Sequence, residues 1–289
     1  MGNKNIIKCG LLGYPVEHSL SPKMHNAVFK KLNLPYHYSL YPVELSGLDN
    51  FIKSLAKENI RGLNVTVPYK EKILPYIEEK SEAVKKIGAA NTLVIGDFKI
   101  EGFNTDFLGF SKHLKELVDP NKLKIALLGA GGAAKAVVYS LLKDKIKAIS
   151  IFDIDKKKAE DLVEKAKEWA AELEINLKIN QAKNLEALDI AKKDLLINAT
   201  PVGLKQSEPL IIPENLLHKN LAVYDLIYNP AETKLLAAAK AKGLKCSNGL
   251  GMLIYQGAKS FLHFTEIKLE VNDIAAIMKE ALSEEGGQC

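Results

Sequence analysis

Two groups of residues in this chain have the types and spacing to do chemistry, and they lie far apart in sequence. The first is a glycine-rich turn near the middle, Leu123-Lys-Ile-Ala-Leu-Leu-Gly-Ala-Gly-Gly-Ala-Ala-Lys-Ala136, followed by Ile149-Ser-Ile-Phe-Asp-Ile-Asp155. It reads as a dinucleotide-binding turn. Residues 123–128 form a short apolar strand, Gly129 makes the tight turn, Gly131 lets the backbone approach a pyrophosphate, and Ala134 lets the next helix pack closely. The amides of Gly131, Gly132, Ala133 and Ala134 would open a helix over residues 133–142 whose positive end faces phosphates. Gly129, Ala130, Gly131, Gly132 and Ala133 are therefore the candidate nucleotide contacts. A lone Gly-x-Gly-x-x-Ala is common; the weight comes from the order strand, turn, helix, second strand, acidic strand end at Asp153.

The second group lies within the first hundred or so residues. In Gly13-Tyr-Pro-Val-Glu-His-Ser-Leu-Ser-Pro-Lys-Met-His25, Ser21-Pro22 is a good helix start with Ser21 as N-cap. That leaves Ser19 unexplained, and two hydroxyls beside a helix N-terminus suit a carboxylate. His18 and His25 have no metal-type partner at suitable spacing and read as packing or surface residues. In Asn64-Val-Thr-Val-Pro-Tyr-Lys70 the proline stops a strand, so Thr66 and Lys70 project at its carboxyl end, where open α/β sheets bind ligands. Asn91-Thr92 begins the next strand, and Glu101-Gly-Phe-Asn-Thr-Asp106 closes the region. Asp106 also suits a helix N-cap. Together these residues supply hydroxyls, amides, one lysine and one carboxylate.

The elements that must position these groups follow from periodicity. Residues 6–12, 36–41, 63–66 and 92–95 read as strands, separated by helical stretches at 22–32, 47–58 and 70–87. A helix over 106–118 leads to the polar break Asp119-Pro-Asn-Lys122. Strands at Leu123, Ala148, Ile175, Asp194 and Leu221, with helices between, predict a doubly wound parallel sheet. The tail is helical from Gly251, with Met252, Leu253, Tyr255, Phe261 and Leu262 as its apolar face, and a second helix starts at Asn272.

Length and composition agree with that plan. At 289 residues with 47% apolar content the chain can bury a substantial core, and the length favours two domains. The net charge of +5 comes from lysines on helical faces, such as Lys156, Lys157 and Lys158, which indicates solvated surface and no nucleic-acid partner. Cys9, Cys246 and Cys289 have no metal-ligand spacing, which predicts no metal and suits a reducing cytoplasm. No apolar run approaches about 18 residues, so a cytoplasmic protein without signal peptide or membrane partner is expected.

The chain resembles the shikimate dehydrogenase family over nearly its full length. Besides the motifs above, the resemblance is carried by Ile87-Gly-Ala-Ala-Asn-Thr92, Asn198-Ala-Thr-Pro-Val-Gly203, Tyr224-Asp-Leu-Ile-Tyr-Asn-Pro230 and Asn248-Gly-Leu-Gly-Met-Leu-Ile-Tyr-Gln256. It implies an N-terminal α/β substrate domain (1–106 plus 250–289) and a Rossmann-type NAD(P)-binding domain (107–249). It also implies reversible, nicotinamide-dependent reduction of 3-dehydroshikimate to shikimate. By the same resemblance Ser19 and Ser21 would bind the substrate carboxylate, and Thr66, Asn91, Asp106 and Gln256 its ring hydroxyls, with Tyr228 nearby. Lys70 would be the general acid/base, paired with Asp106, and Thr200, Leu226 and Gly249 would lie by the nicotinamide.

One departure bears on the cofactor. Members of the family usually carry Asn-Arg-Thr/Ser at the end of the second nucleotide-domain strand, the arginine gripping the 2′-phosphate of NADP; here those places hold Asp153, Ile154 and Asp155. An acidic strand end accepts from the ribose 2′-hydroxyl of NAD and repels a phosphate. Like unit charges ~4 Å apart repel by about 4 kcal/mol at an effective dielectric of 20. Lys158 matches a basic position of the family and can screen that repulsion. The expectation is NAD against the family default of NADP, although Asp153 would also serve as a cap for the helix that follows. An NAD-dependent quinate/shikimate dehydrogenase is the near alternative, and a non-enzymatic nucleotide sensor on the same fold the distant one. Both monomers and homodimers fit such a chain.

Overall fold

Alternating apolar runs and amphipathic segments produce two six-stranded sheets, one in each of two units of the chain. The computed structural model describes residues 6–283, so Cys289 lies outside the described residues. One unit comprises the chain up to Thr105 together with the segment from Ile254, and the other runs from Asp106 to Leu253.

In the first unit β1 (Ile7–Gly13), α1 (Ser21–Lys31), β2 (Tyr36–Pro42), α2 (Leu48–Ser54), β3 (Ile60–Val65), β4 (Glu79–Lys80), α3 (Glu82–Ile87), β5 (Thr92–Ile95) and β6 (Ile100–Phe103) follow in order. The sheet runs β2-β1-β3-β5-β6-β4; β1, β2 and β3 are parallel, and β5 is antiparallel to both neighbours. The helix expected over 70–87 is a short 3-10 turn (Leu74–Tyr76), then β4, then α3 capped by Ser81. Pro75 has no donor for a helix interior, and the buried series Tyr69, Ile73, Ile77 and Val84 imitates helical spacing. Ser21 is not the N-cap of α1 but its first residue; Leu20 precedes it and makes no side-chain cap.

The second unit holds α4 (Asp106–Leu117), β7 (Lys124–Leu128), α5 (Gly132–Lys143), β8 (Ala148–Phe152), α6 (Lys156–Glu172), β9 (Lys178–Gln181), β10 (Leu195–Asn198), β11 (Ala222–Asp225), α7 (Lys234–Ala241) and β12 (Cys246–Ser247). Its sheet is wholly parallel in the order β12-β11-β10-β7-β8-β9, the doubly wound arrangement expected, with the winding reversing between β7 and β10. The strand expected at Ile175 begins instead at Lys178. The Ile175 amide closes the end of α6 by donating to the Ala170 carbonyl at 2.8 Å, and Glu174 takes the left-handed conformation there (φ 54°). The last elements among the described residues are α8 (Leu250–Thr265) and α9 (Val271–Ser283).

The first unit buries side chains on both faces of its sheet. Leu12, Leu63, Val65 and Leu93 meet Leu48 and Ile52 of α2 and Val84 of α3 on one face. On the other, Gly62 has no side chain because the Phe264 ring of α8 occupies the space a Cβ would need. The buried face of α8 in this unit is Ile254, Ala258, Phe261 and Phe264; Tyr255 and Leu262, expected on it, are only half-buried. His25 of α1 is fully buried among aromatic rings, stacked on Tyr38 at 4.3 Å with Phe29, Phe261 and Phe264 around it. Neither ring nitrogen has a hydrogen-bond partner, so His25 serves as packing.

Burial disfavours the His25 imidazolium and lowers its pKa to about 3, whereas an unfolded chain titrates near 6.5. Between those values the unfolded state binds a proton that the folded state does not, so stability falls as pH drops below about 6.5, by about 1.4 kcal/mol per pH unit for this group. His25→Phe is expected to reduce the loss of stability between pH 6.5 and 5 by about 2 kcal/mol, read from urea unfolding at both pH values. Equal losses in parent and variant would exclude His25 as the source.

Candidate active site

The polar residues of the first unit converge at one edge of its sheet, set by strand direction. β1 and β3 end there, β5 begins there, and β6 ends there. The Thr66 amide donates to Leu12 O at 2.9 Å, the Val65 amide to Asn91 O at 2.9 Å, and the Asn91 amide to Phe103 O at 3.1 Å. After β3 the chain turns, the Tyr69 amide donating to Thr66 O at 2.8 Å. Tyr69 is fully buried with its hydroxyl on Val43 O, which anchors the turn and leaves the next residue, Lys70, half-buried at this edge. The Lys70 carbonyl accepts from the Ala90 amide at 2.8 Å, so the lysine backbone is tied to the strand start that carries Asn91.

The two serines sit at the start of α1. The Ser19 hydroxyl accepts from the Ser21 amide at 3.2 Å and donates to the Ser21 hydroxyl at 3.1 Å, so both hydroxyls reach the same helix end. Burial raises the Tyr38 phenol well above its usual pKa, and a hydrogen bond from Ser21 opposes that shift. The phenol in turn donates to Asn64 Oδ1 at 2.8 Å.

Beyond Asn64 lies a buried network of Asn91, Thr92, Thr105, Gln256 and Ser260, of which only Ser260 stands outside every motif read from the sequence. Asn91 is 2% exposed; its amide nitrogen donates to Thr105 Oγ1 at 2.9 Å and Gln256 Oε1 at 3.1 Å, and its Oδ1 accepts from the Thr105 amide at 2.7 Å and Thr92 Oγ1 at 3.1 Å. Asn91 is thus engaged by protein groups at both ends of its side chain, and binding a ligand hydroxyl there requires one of these bonds to be exchanged. Gln256 is buried, and its Oε1 accepts, so its amide nitrogen is the donor end. Ser260 joins Asn64, Thr92 and Thr105. A signal for it existed: a polar residue four positions after Gln256 on an apolar helix, in the row that also includes Phe264.

In the second unit Asp106 is 5% exposed and is the first residue of α4. The glycine turn follows β7. Gly129 has φ 100°, and a Cβ there would lie 2.7 Å from the Ala199 carbonyl oxygen, so only glycine fits. Gly131 precedes α5 with no side-chain cap, and nothing within 4 Å would meet an added Cβ. An uncapped helix end with open space before it fits a dinucleotide pyrophosphate. Gly132 and Ala133 are half-buried in that first turn.

Asp153 does not cap α6; Asp155 does, accepting from the amides of Lys157 at 3.1 Å and Lys158 at 3.3 Å. The Asp153 carboxylate instead accepts from the Ala130 amide at 2.7 Å and the Asp155 amide at 2.8 Å, joining the glycine turn to the end of β8. Ile154 between them is 92% exposed. Lys158 Nζ lies 3.7 Å from Asp155, and Lys157 Nζ lies 2.7 Å from Asp161. At the end of β10, Asn198 is fully buried; its Oδ1 accepts from the Thr200 amide at 3.0 Å and hydroxyl at 2.7 Å, and its amide donates to Asp225 at 3.0 Å. Burial raises the Asp225 pKa against hydrogen bonds from Thr233, Ile227 and Asn198. Leu226 donates its amide to Asn198 O at 2.9 Å, and Gly249 donates to Ile227 O at 3.2 Å. Burial also raises the phenol pKa of the half-buried Tyr228. Among the described residues no cluster of His, Cys, Asp and Glu could hold a metal ion, and no helix is long and apolar enough to cross a membrane.

The family described as "Shikimate dehydrogenase substrate binding domain" matches residues 11–93. The shikimate dehydrogenase (NADP(+)) of Methanopyrus kandleri is 40% identical over 283 residues, which cover 95% of this chain and 94% of that protein. The crystal structure of shikimate dehydrogenase from Aquifex aeolicus superposes with a TM-score of 0.87 at 34% identity, covering 98% of this chain and 99% of the other. That of shikimate 5-dehydrogenase from Listeria monocytogenes, in complex with shikimate and NAD, gives a TM-score of 0.83 at 35% identity over 95% and 97% of the two chains.

A methyl group at position 249 would meet the Leu226 carbonyl, a backbone group that cannot swing aside. Gly249→Ala is expected to lower the unfolding free energy by about 1–3 kcal/mol, seen as a lower urea midpoint at unchanged slope. Parental stability would show that the two segments can separate without loss.

Proposed function

The chain belongs to the shikimate dehydrogenase family, and from that membership and the two sites described we propose that it catalyses the reversible, NAD(P)H-dependent reduction of 3-dehydroshikimate to shikimate. The observation that carries the reading is the gathering of Ser19, Ser21, Thr66, Lys70, Asn91 and Gln256 on the ends of β1 and β3, the starts of α1 and β5, and α8, in a chain whose other sheet bears an uncapped glycine turn at its winding reversal. Residues 1–106 with 250–289 act as the substrate domain and 107–249 as the nucleotide domain in this reading.

The reaction moves one hydride and one proton. When bound, the nicotinamide nucleotide supplies or takes up the hydride. The chain has to orient the substrate and handle the proton at its 3-oxygen. Two hydroxyls at the α1 N-terminus suit the ring carboxylate, because both the hydroxyl donors and the helix end favour negative charge. In this reading Thr66, Asn91, Asp106 and Gln256 hold ring hydroxyls, with Gln256 offering N–H, and Tyr228 contributes a further hydroxyl to the substrate. Lys70 gives a proton to the carbonyl oxygen in reduction and removes it in oxidation, acting with Asp106.

For the cofactor, the glycine turn from Gly129 to Ala133 takes the pyrophosphate, while Thr200, Leu226 and Gly249 line the nicotinamide end. We assign NAD as the preferred nucleotide. Asp153 puts a carboxylate at the strand end, and Ile154 supplies no charge where a 2′-phosphate would need one. Lys158 is drawn toward Asp155, which reduces its use as a counter-charge. Asp153 is also the feature that keeps quinate in view as a second substrate, so both acids belong in the assay.

Lys70→Ala is expected to lower kcat for shikimate oxidation by about 10²–10⁴-fold while changing KM by less than about fivefold. Turnover near the parental rate would remove Lys70 from proton transfer, and a parent inactive on both acids that still binds nucleotide would favour a sensor. Steady-state kinetics with both nucleotides is expected to give kcat/KM at least about tenfold higher with NAD, a difference of about 1.4 kcal/mol. Ile154→Arg is expected to narrow that ratio. A parental preference for NADP would mean that the neighbouring lysines outweigh Asp153.

A further inference from the structure

We propose that Ser260 is a positioning residue of the substrate site: its buried hydroxyl sets the orientation of the Asn91 and Gln256 amides by joining Asn64, Thr92 and Thr105 to the backbone of α8. The inference rests on the reading that Asn91 and Gln256 hold substrate hydroxyls.

Ser260 is fully buried, and a serine hydroxyl has one proton and two lone pairs. Its proton goes to the Gln256 carbonyl at 2.9 Å, one turn earlier in α8, and Asn64 Nδ2 donates to it at 2.9 Å. Thr92 at 2.7 Å and Thr105 at 3.0 Å compete for the lone pair that remains. Each threonine has another use for its proton. Thr92 can donate to Asn91 Oδ1 at 3.1 Å, and Thr105 to Asn91 Oδ1 at 3.3 Å or Gln256 Oε1 at 3.4 Å.

With Ser260 present, one threonine proton is withdrawn from the pair of amides, and Asn64 has a buried acceptor that also fixes Asn64 Oδ1 toward Tyr38. Without the hydroxyl, the threonine protons are left to Asn91 Oδ1, Gln256 Oε1 and the contact of the two threonine hydroxyls at 3.4 Å, and Asn64 Nδ2 keeps only the Asn91 carbonyl at 3.2 Å and Thr92 at 3.3 Å. Either change alters how readily Asn91 can exchange a protein partner for a ligand hydroxyl. Helical spacing makes Ser260 the link: Gln256, Ser260 and Phe264 form one row, the phenyl ring seated on Gly62 and the hydroxyl beside Asn64, two residues further along β3.

The test is steady-state kinetics of Ser260→Ala, Gln256→Ala and the double variant, with stability measured separately. Ser260→Ala is expected to raise KM for shikimate by about 5–30-fold, the loss of one or two buried hydrogen bonds, with kcat within about threefold and nucleotide KM within about twofold. In the Gln256→Ala background the same change is expected to add less than about twofold, because the two residues act as one unit. If Ser260→Ala fails to fold, Ser260→Cys, similar in size but weak in hydrogen bonding, is expected to show the same rise in KM. A variant that is merely less stable with parental KM, or effects that multiply fully in the double variant, would overturn the proposal. If Gln256→Ala raises KM and Ser260→Ala does not, this inference alone fails; if Gln256→Ala leaves KM unchanged, the role given to Gln256 fails and takes this inference with it.

Discussion

The hydrogen bonding of Asn64 is the interaction on which the first unit most depends. A side-chain amide in a sheet interior must satisfy two donor hydrogens and a carbonyl away from water, and leaving one unmet costs about 1–3 kcal/mol. Here Tyr38 supplies the donor, and Ser260, Thr92 and the Asn91 carbonyl supply the acceptors. Those partners come from β2, β5 and α8 and from the residue before β5, so the amide can be satisfied only when these elements are in register. Gly62 makes the same demand in apolar terms, because the Phe264 ring fits only over a residue without a side chain. Polar satisfaction and close packing therefore select one seating of α8 on the sheet, and that seating brings Gln256 to Asn91.

A different constraint governs the second unit. Its all-parallel sheet winds outward in both directions from the β7–β10 pair, so the connections after these strands diverge and leave their carboxyl ends uncovered by a crossover. The chain fills that place with backbone. Gly129 turns at positive φ against Ala199, and Asn198 folds its own loop by bonding Thr200 and Asp225. Thr200 and Leu226, read from sequence as candidate cofactor contacts, thus share the place with residues that fix the loops around them. Asn198 and Asp225 are fully buried, which gives them a supporting role, while Thr200 and Leu226 are half-buried.

Much of this was legible in the sequence where one physical signal dominates. The parallel sheet of the second unit follows from apolar runs alternating with helices, and the glycine turn follows from spacing alone. Legibility failed where two signals conflict. Tyr69, Ile73, Ile77 and Val84 carry helical spacing, but Pro75 and the pairing of β4 with β6 break the segment, and pairing between distant strands leaves no local trace. Ile175 looks like a strand start because it is β-branched and apolar, yet its amide is consumed in ending α6. Ser21 and Asp153 were both readable as helix caps, and each lies near the residue where a helix begins. What differs is the partner of each side chain, the Ser19 hydroxyl for Ser21 and the Ala130 and Asp155 amides for Asp153, and that depends on the turn geometry. Ser260 escaped notice because a single hydroxyl on an apolar helix has no distinctive spacing until the strands beside it are known.

The acidic strand end illustrates how support and selectivity can fall on neighbouring residues. Asp153 accepts from the Ala130 amide inside the glycine turn and from the Asp155 amide at the start of the next segment, so its carboxylate is a strut between two loops as well as a charge. Hydrogen bonds to an ionised acceptor are roughly twice as strong as neutral ones, and an uncharged replacement would loosen the turn while it removed the repulsion toward a phosphate. Ile154, 92% exposed, carries no such structural duty. Position 154 can therefore gain or lose a cationic side chain with little effect on the fold, whereas position 153 cannot lose its carboxylate without disturbing the glycine turn. If the proposed nucleotide site is correct, selectivity between the two nucleotides is adjusted most readily at the residue the fold does not use, beside a carboxylate that the fold requires.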